Sequence, residues 1–96
     1  MRTLMIAQLP VEAGNEAIKR GALPEIVRKT LETAQAEASY FTTIDGKRTM
    51  IMVFDLKAAS DMPRIAEPLF MGVNASVQFA PCMNAEDLKT GLAAIR

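Results

Sequence analysis

The side chains able to do chemistry in this chain are few, because it contains no histidine. Imidazole is the usual proton carrier near neutral pH, so its absence excludes a histidine-based triad. A single cysteine, Cys82, cannot supply the nitrogen and sulfur ligands of a zinc site. With no histidine to draw off its proton, Cys82 reads as a buried, inert thiol rather than a nucleophile. The glycines at 14, 21, 46, 72 and 91 match neither a dinucleotide fingerprint nor a phosphate-binding loop. No cofactor and no metal is expected. The remaining candidates are Asp55, Tyr40, Arg48, Gln8 and Gln78.

Asp55 is the one carboxylate with a catalytic reading. It falls near the end of a strand and shares a face with Tyr40. In a barrel lumen, desolvation would raise its pKa and make it a base; at a wet strand end it would simply close the following loop. Tyr40 offers a hydroxyl to a ligand or is a half-buried sheet aromatic. Arg48 follows a turn, either as a solvated tip residue or as a bidentate partner for a ligand carboxylate. Gln8 and Gln78 interrupt apolar strands and mark either a pocket or a wet edge. Met5, Met50 and Met52 are soft core fillers or the wall of a site for a flat apolar ligand.

The chemistry must be positioned by one domain. The chain has 96 residues, half of them apolar and 23% charged, the profile of an ordered globular unit. Eleven basic residues balance eleven acidic ones. The basic residues come at most in pairs and do not alternate with aromatics, so no nucleic-acid partner is expected. The apolar run near Met1 is broken by Gln8 and Pro10, too early for a signal peptide or a membrane span. With the lone cysteine, this points to a cytoplasmic protein without a membrane partner.

Leu4, Met5, Ile6 and Ala7 form a near-continuous apolar strand, Thr3 to Leu9, of the kind buried on both faces in mid-sheet. A helical region from about Asn15, which reads as its N-cap, to Gln35 is broken at Gly21 and Pro24. In its second half Leu23, Val27, Leu31 and Ala34 share one face. Asp45-Gly46 joins two strand-like runs, residues 36–44 and 47–56, and suits a type I′ turn. That turn sets Ile44 opposite Lys47, Phe41 opposite Met50, Tyr40 opposite Ile51 and Ala38 opposite Val53. Each face of the hairpin then carries large apolar residues, so both need covering. A shorter helix is expected from Ser60-Asp61, capped by Ser60 and ended or bent by Pro68, with Ile65, Ala66 and Leu69 inward. Phe70, Met71 and Val73 should follow inward in an irregular turn. A last strand, Ser76 to Cys82, carries Pro81 as an edge strand can. Asn84 caps a final helix with Leu88, Leu92 and Ile95 on one side, docked on this subunit or on its neighbour.

This order is α+β and gives a ferredoxin-like βαββαβ fold: a four-stranded antiparallel sheet, helices on one face, and a short C-terminal helix. The other sheet face is left apolar, which a second copy in C2 symmetry would cover. Leu9-Pro10-Val11, Val53-Phe54-Asp55-Leu56 and Pro68-Leu69-Phe70, in that order, resemble segments of the dimeric α+β barrel superfamily and, within it, the muconolactone isomerases. The resemblance implies a two-sheet dimer and small-metabolite chemistry. Two functional readings stand. The chain binds a small molecule between sheet and helices or in a barrel, with cofactor-free isomerisation as the chemistry its groups suit. Alternatively, it is a homo-oligomeric assembly module without a catalytic site.

Overall fold

The computed structural model describes residues 1–95. Four strands, β1 (Arg2–Gln8), β2 (Ala38–Ile44), β3 (Lys47–Asp55) and β4 (Ser76–Pro81), form one antiparallel sheet in the order β2-β3-β1-β4. Three helices, α1 (Val11–Lys19), α2 (Leu23–Ala34) and α3 (Met62–Val73), accompany it, and α4 (Ala85–Ala93) follows β4. The fold is α+β and compatible with the ferredoxin-like plan, with two departures from βαββαβ. The first crossover is two helices rather than one, and α4 is added at the end.

The hairpin follows its turn chemistry. Asp45 and Gly46 both take positive φ, 56° and 71°, as a type I′ turn requires. The register therefore sets Ile44 opposite Lys47, Tyr40 opposite Ile51 and Ala38 opposite Val53. Side chains alternate across a strand, so Met50, Met52 and Phe54 all turn toward the helices and are buried. Met5 and Ala7 join them from β1, and Ile65, Leu69 and Val73 close the core from α3. Phe54 meets Phe79 edge to face, ring centroids 6.2 Å apart. Each large side chain so buried contributes about 1.5–3 kcal/mol. The buried threonines Thr3, Thr30 and Thr49 each donate to a backbone carbonyl, so no polar side chain is stranded in the described core.

Several local expectations are corrected. β1 is central, but only one of its faces is buried; Leu4 and Ile6 are partly exposed on the other. Its continuous apolar run reflects a helix-free sheet face, not a two-sided core. The first helix begins at Val11 rather than near Asn15, because Pro10, with φ −55°, already suits a helix entry. Asn15 is thus inside α1 and free to serve another partner. Gly21 and Pro24 do divide the helical region: Gly21 takes φ 68° after α1, and Pro24 sits in the first turn of α2. Ser60 does not cap α3; it lies in a 3₁₀ turn, Ala59–Asp61, and no side chain caps the helix. Pro68 does not end α3, which runs to Val73 and stops at Asn74 in the left-handed region. The carbonyl deprived of a donor by Pro68 belongs to Arg64, an exposed residue, so the lost bond costs less than it would in a dry core. The regular helix turns Phe70 and Met71 outward, leaving only Val73 of that trio in the core.

Asn84 and Asp87 form a capping box at the start of α4. The helix buries none of its residues. Leu88, Leu92 and Ile95 are 46%, 57% and 71% exposed, and an Arg2–Asp87 ion pair at 3.1 Å ties the helix to β1. The radius of gyration is 15.0 Å, against about 12.5 Å for a compact chain of this length. The longest dimension is 54 Å. The expected docking of α4 is therefore not made within this copy. No helix among the described residues is long and apolar enough to cross a membrane.

Candidate functional site

The helices cover the middle of the sheet and stop short of its β2 edge. A cleft of about 230 Å³ remains between α2 and the helix side of β2 and β3. Leu23, Ile26 and Val27 of α2 form one wall, and Phe41 and Met50 form the opposite one. Leu69 and Val73 of α3 and Leu9 line the inner part. Phe41 is 57% exposed at the mouth, a large aromatic that no helix covers.

Arg48 is the one charged side chain among the described residues lining this cleft. It leaves β3 on the same side as Met50, toward the helices, and so is not a tip residue. Val11, Gly14 and Asn15 lie at i, i+3 and i+4 and thus on one face of α1. The guanidinium rests on that face. Its Nη2 donates to Asn15 Oδ1 at 3.0 Å and its Nη1 to the Val11 carbonyl at 3.4 Å. A Cβ at position 14 would stand only 2.6 Å from Nη1, so glycine is what lets the group lie there. Arg2, Arg28 and Arg64 each pair with a carboxylate, whereas Arg48 pairs with none among the described residues.

The other four sequence candidates are on the opposite, helix-free face, and they do not converge. Tyr40, Ile51, Ile6 and Gln78 form one row across the sheet, which puts Tyr40 on one edge and Gln78 on the other. Three strand spacings separate them, about 14 Å. Gln8 donates to the Ile44 carbonyl at 3.2 Å. Asp55 lies 2.7 Å from the Met1 ammonium and is 63% exposed. That hydrogen-bonded ammonium holds its carboxyl below the usual range, the reverse of the shift a base in a dry lumen would show. Asp55 also borders a second, polar cleft of about 180 Å³ with Lys57, Asp61 and Arg64. There Asp61 and Arg64 are already paired at 3.4 Å.

Sequence reasoning named Arg48 and Met50 but missed the α2 wall and Phe41. The available signals were Gly14, a helix-interior glycine, and Phe41 opposite Met50 on a face that also carries Arg48. Among the described residues no three histidine, cysteine or acidic side chains cluster as a metal site would need. No protein-family model matches the chain, and none of the curated proteins matches it.

Proposed function

We propose that this chain binds a small, mainly apolar molecule in the cleft between α2 and the β2–β3 hairpin. The observation that carries the reading is a preformed, almost wholly apolar recess between α2 and the hairpin, as metabolite sites are mostly apolar clefts. An apolar cavity of about 150 Å³ takes benzene, so this cleft accommodates a somewhat larger guest. The local resemblance to the muconolactone isomerases supports a small-metabolite role. The cleft is lined almost wholly by apolar surface and no carboxylate lines it, which favours binding over proton abstraction. The test is a titration with 1-octanol followed through the methyl signals of Ile26 and Met50. Saturable shifts that vanish in Val27→Trp, whose indole fills the cleft, support the reading; shifts that never saturate overturn it.

A second reading, self-association, rests on the helix-free face. Three consecutive rows, Ala38–Val53–Leu4–Ala80, Tyr40–Ile51–Ile6–Gln78 and Thr42–Thr49–Gln8–Ser76, contain no charged residue. A second copy related by C2 symmetry is the simplest cover for it. Four strands by three rows project to about 400 Å², against the roughly 800 Å² per partner of a standard interface. The unpartnered stripe of α4, tethered to β1 through Arg2, supplies further apolar surface to the same association. The two readings are compatible, because the cleft and the bare face are on opposite sides of the sheet.

A further inference from the structure

We infer that β2 takes up an extended peptide, a segment of a partner protein with a large apolar side chain at its middle and basic ends, as a fifth strand of the sheet. This rests on the cleft accepting apolar matter, because the middle side chain closes its mouth.

β2 is an edge strand whose outer side is free. Its hydrogen-bonding phase is fixed at both ends. The Arg48 carbonyl accepts from Leu9 N–H at 3.0 Å, on the β1 side, and the Val53 carbonyl accepts from Glu37 N–H at 2.8 Å, on the β2 side. Backbone groups alternate in direction along an antiparallel strand. Ala38, Tyr40, Thr42 and Ile44 therefore bond to β3, and the N–H and C=O groups of Ser39, Phe41 and Thr43 face outward. Among the described residues, no loop, cap or side chain bonds to these outward groups. Sheets ordinarily guard a free edge with charge, proline or a covering element. β2 has none within it: Ala38–Ile44 carries no charged residue and no proline, and Tyr40 to Ile44 are exposed. The other edge, β4, ends in Pro81.

The side chains of Ser39, Phe41 and Thr43 are on the helix side, in register with Met52, Met50 and Arg48. A strand bonded to them lies about 4.8 Å beyond β2 and turns the side chains opposite these three to that same side. The residue opposite Phe41 exchanges both backbone bonds with it, at a Cα separation of about 5.5 Å. A large apolar side chain there covers the exposed Phe41 ring and closes the cleft that Phe41 shares with Ile26 and Val27 of α2. Backbone bonds then supply affinity, and the recess beside the edge supplies selectivity.

Charge distinguishes a foreign segment from a second copy. β2 is flanked by Glu37 and Asp45. Two β2 strands paired through all their outward groups would set Phe41 on Phe41 and Glu37 against Asp45 at both ends, and like charges placed opposite one another destabilise a pair. Basic residues at the ends of a foreign segment meet the same two carboxylates favourably.

The probe is acetyl-Lys-Thr-Thr-Val-Leu-Val-Thr-Thr-Lys-amide, titrated into the intact protein by calorimetry, with amide exchange followed by NMR. It should bind saturably and slow exchange at Ser39, Phe41 and Thr43. Replacing its leucine by alanine should weaken binding at least fivefold. N-methylating that leucine, which keeps the side chain and removes the donor to the Phe41 carbonyl, should weaken it at least tenfold. Phe41→Ala should erase the preference for leucine over alanine; Phe41 is half exposed, so the fold should survive its loss. Equal affinity for the parent and N-methylated peptides overturns strand addition, and equal affinity for leucine and alanine overturns the seat at the cleft. If 1-octanol binds saturably and the parent peptide does not, this inference fails and the cleft reading survives; if neither binds, both fail. Exchange at Ser39, Phe41 and Thr43 that slows with protein concentration alone assigns the edge to a second copy and also overturns the inference.

Discussion

Ile51 and Met52 are sequence neighbours with opposite fates, and lysine placed at each tests the assignment of sheet faces directly. Met52 is fully buried under the helices. A lysine there loses the methionine's burial, about 1.5–3 kcal/mol, and strands an unpaired ammonium in the core at several kcal/mol more. A domain of this length has about 5–14 kcal/mol of total stability, so Met52→Lys should leave most molecules unfolded. Ile51 is on the helix-free face, partly open to solvent. A lysine stem can lie along that face with its head in water, and the monomer should lose no more than about 1 kcal/mol, the span of strand preference. In a face-to-face dimer the same substitution brings one buried ammonium from each copy. A hundredfold weaker association corresponds to about 2.7 kcal/mol, and two such charges should exceed it. Circular dichroism melts report the fold, and sedimentation equilibrium across micromolar concentrations reports the assembly. Ile51→Lys should melt cooperatively near the wild-type temperature and sediment as a monomer where wild type self-associates. An unfolded Ile51→Lys would refute the face assignment, and a monomeric wild type would refute self-association.

Gly46→Val should cost about 1–2 kcal/mol, because φ 71° is strained for a branched side chain, which lowers Tm by about 4–16 °C. Asn84→Ala removes the capping box of α4, worth about 1 kcal/mol. Since α4 buries nothing within one copy, the loss should appear as faster amide exchange in residues 85–93, with the monomer's Tm unchanged. The Glu25 carboxylate accepts a hydrogen bond from Arg28 Nη2 at 2.6 Å, and its pKa is held below the ordinary range by that bond. Its small contribution to stability should therefore be present above the unfolded-state value and fade as pH falls through the lowered one. A carboxyl titration by NMR should show Arg28→Gln moving Glu25 back up.

How much of this was legible beforehand varies by element, for physical reasons. The hairpin was fully legible, because Asp45-Gly46 admits one tight turn and the turn dictates every pair from Ile44–Lys47 to Ala38–Val53. Alternation then sorted the residues into two faces, but it could not say which one the helices would choose. That choice decides whether Arg48 points at water or at α1. The entry to α1 was misread because Asn15 resembles a cap, while Pro10 was read only as the end of a strand. Pro68 suggested a helix end, yet on an exposed face one lost hydrogen bond does not outweigh the burial of Leu69 and Val73 beyond it. The cleft was least legible. It exists because three helices do not span four strands, a matter of relative widths that no local pattern encodes.

The helix-side surface of β1 and β3 carries three methionines, at 5, 50 and 52, where branched residues are commoner. Unbranched thioethers change rotamer at little energetic expense, and their polarisable sulfurs accommodate aromatic and aliphatic surfaces alike. A recess floored by Met50, with Met5 and Met52 behind it, can change its outline at low energetic cost. Were the cleft to take a guest, walls of this kind would select by volume more than by exact outline.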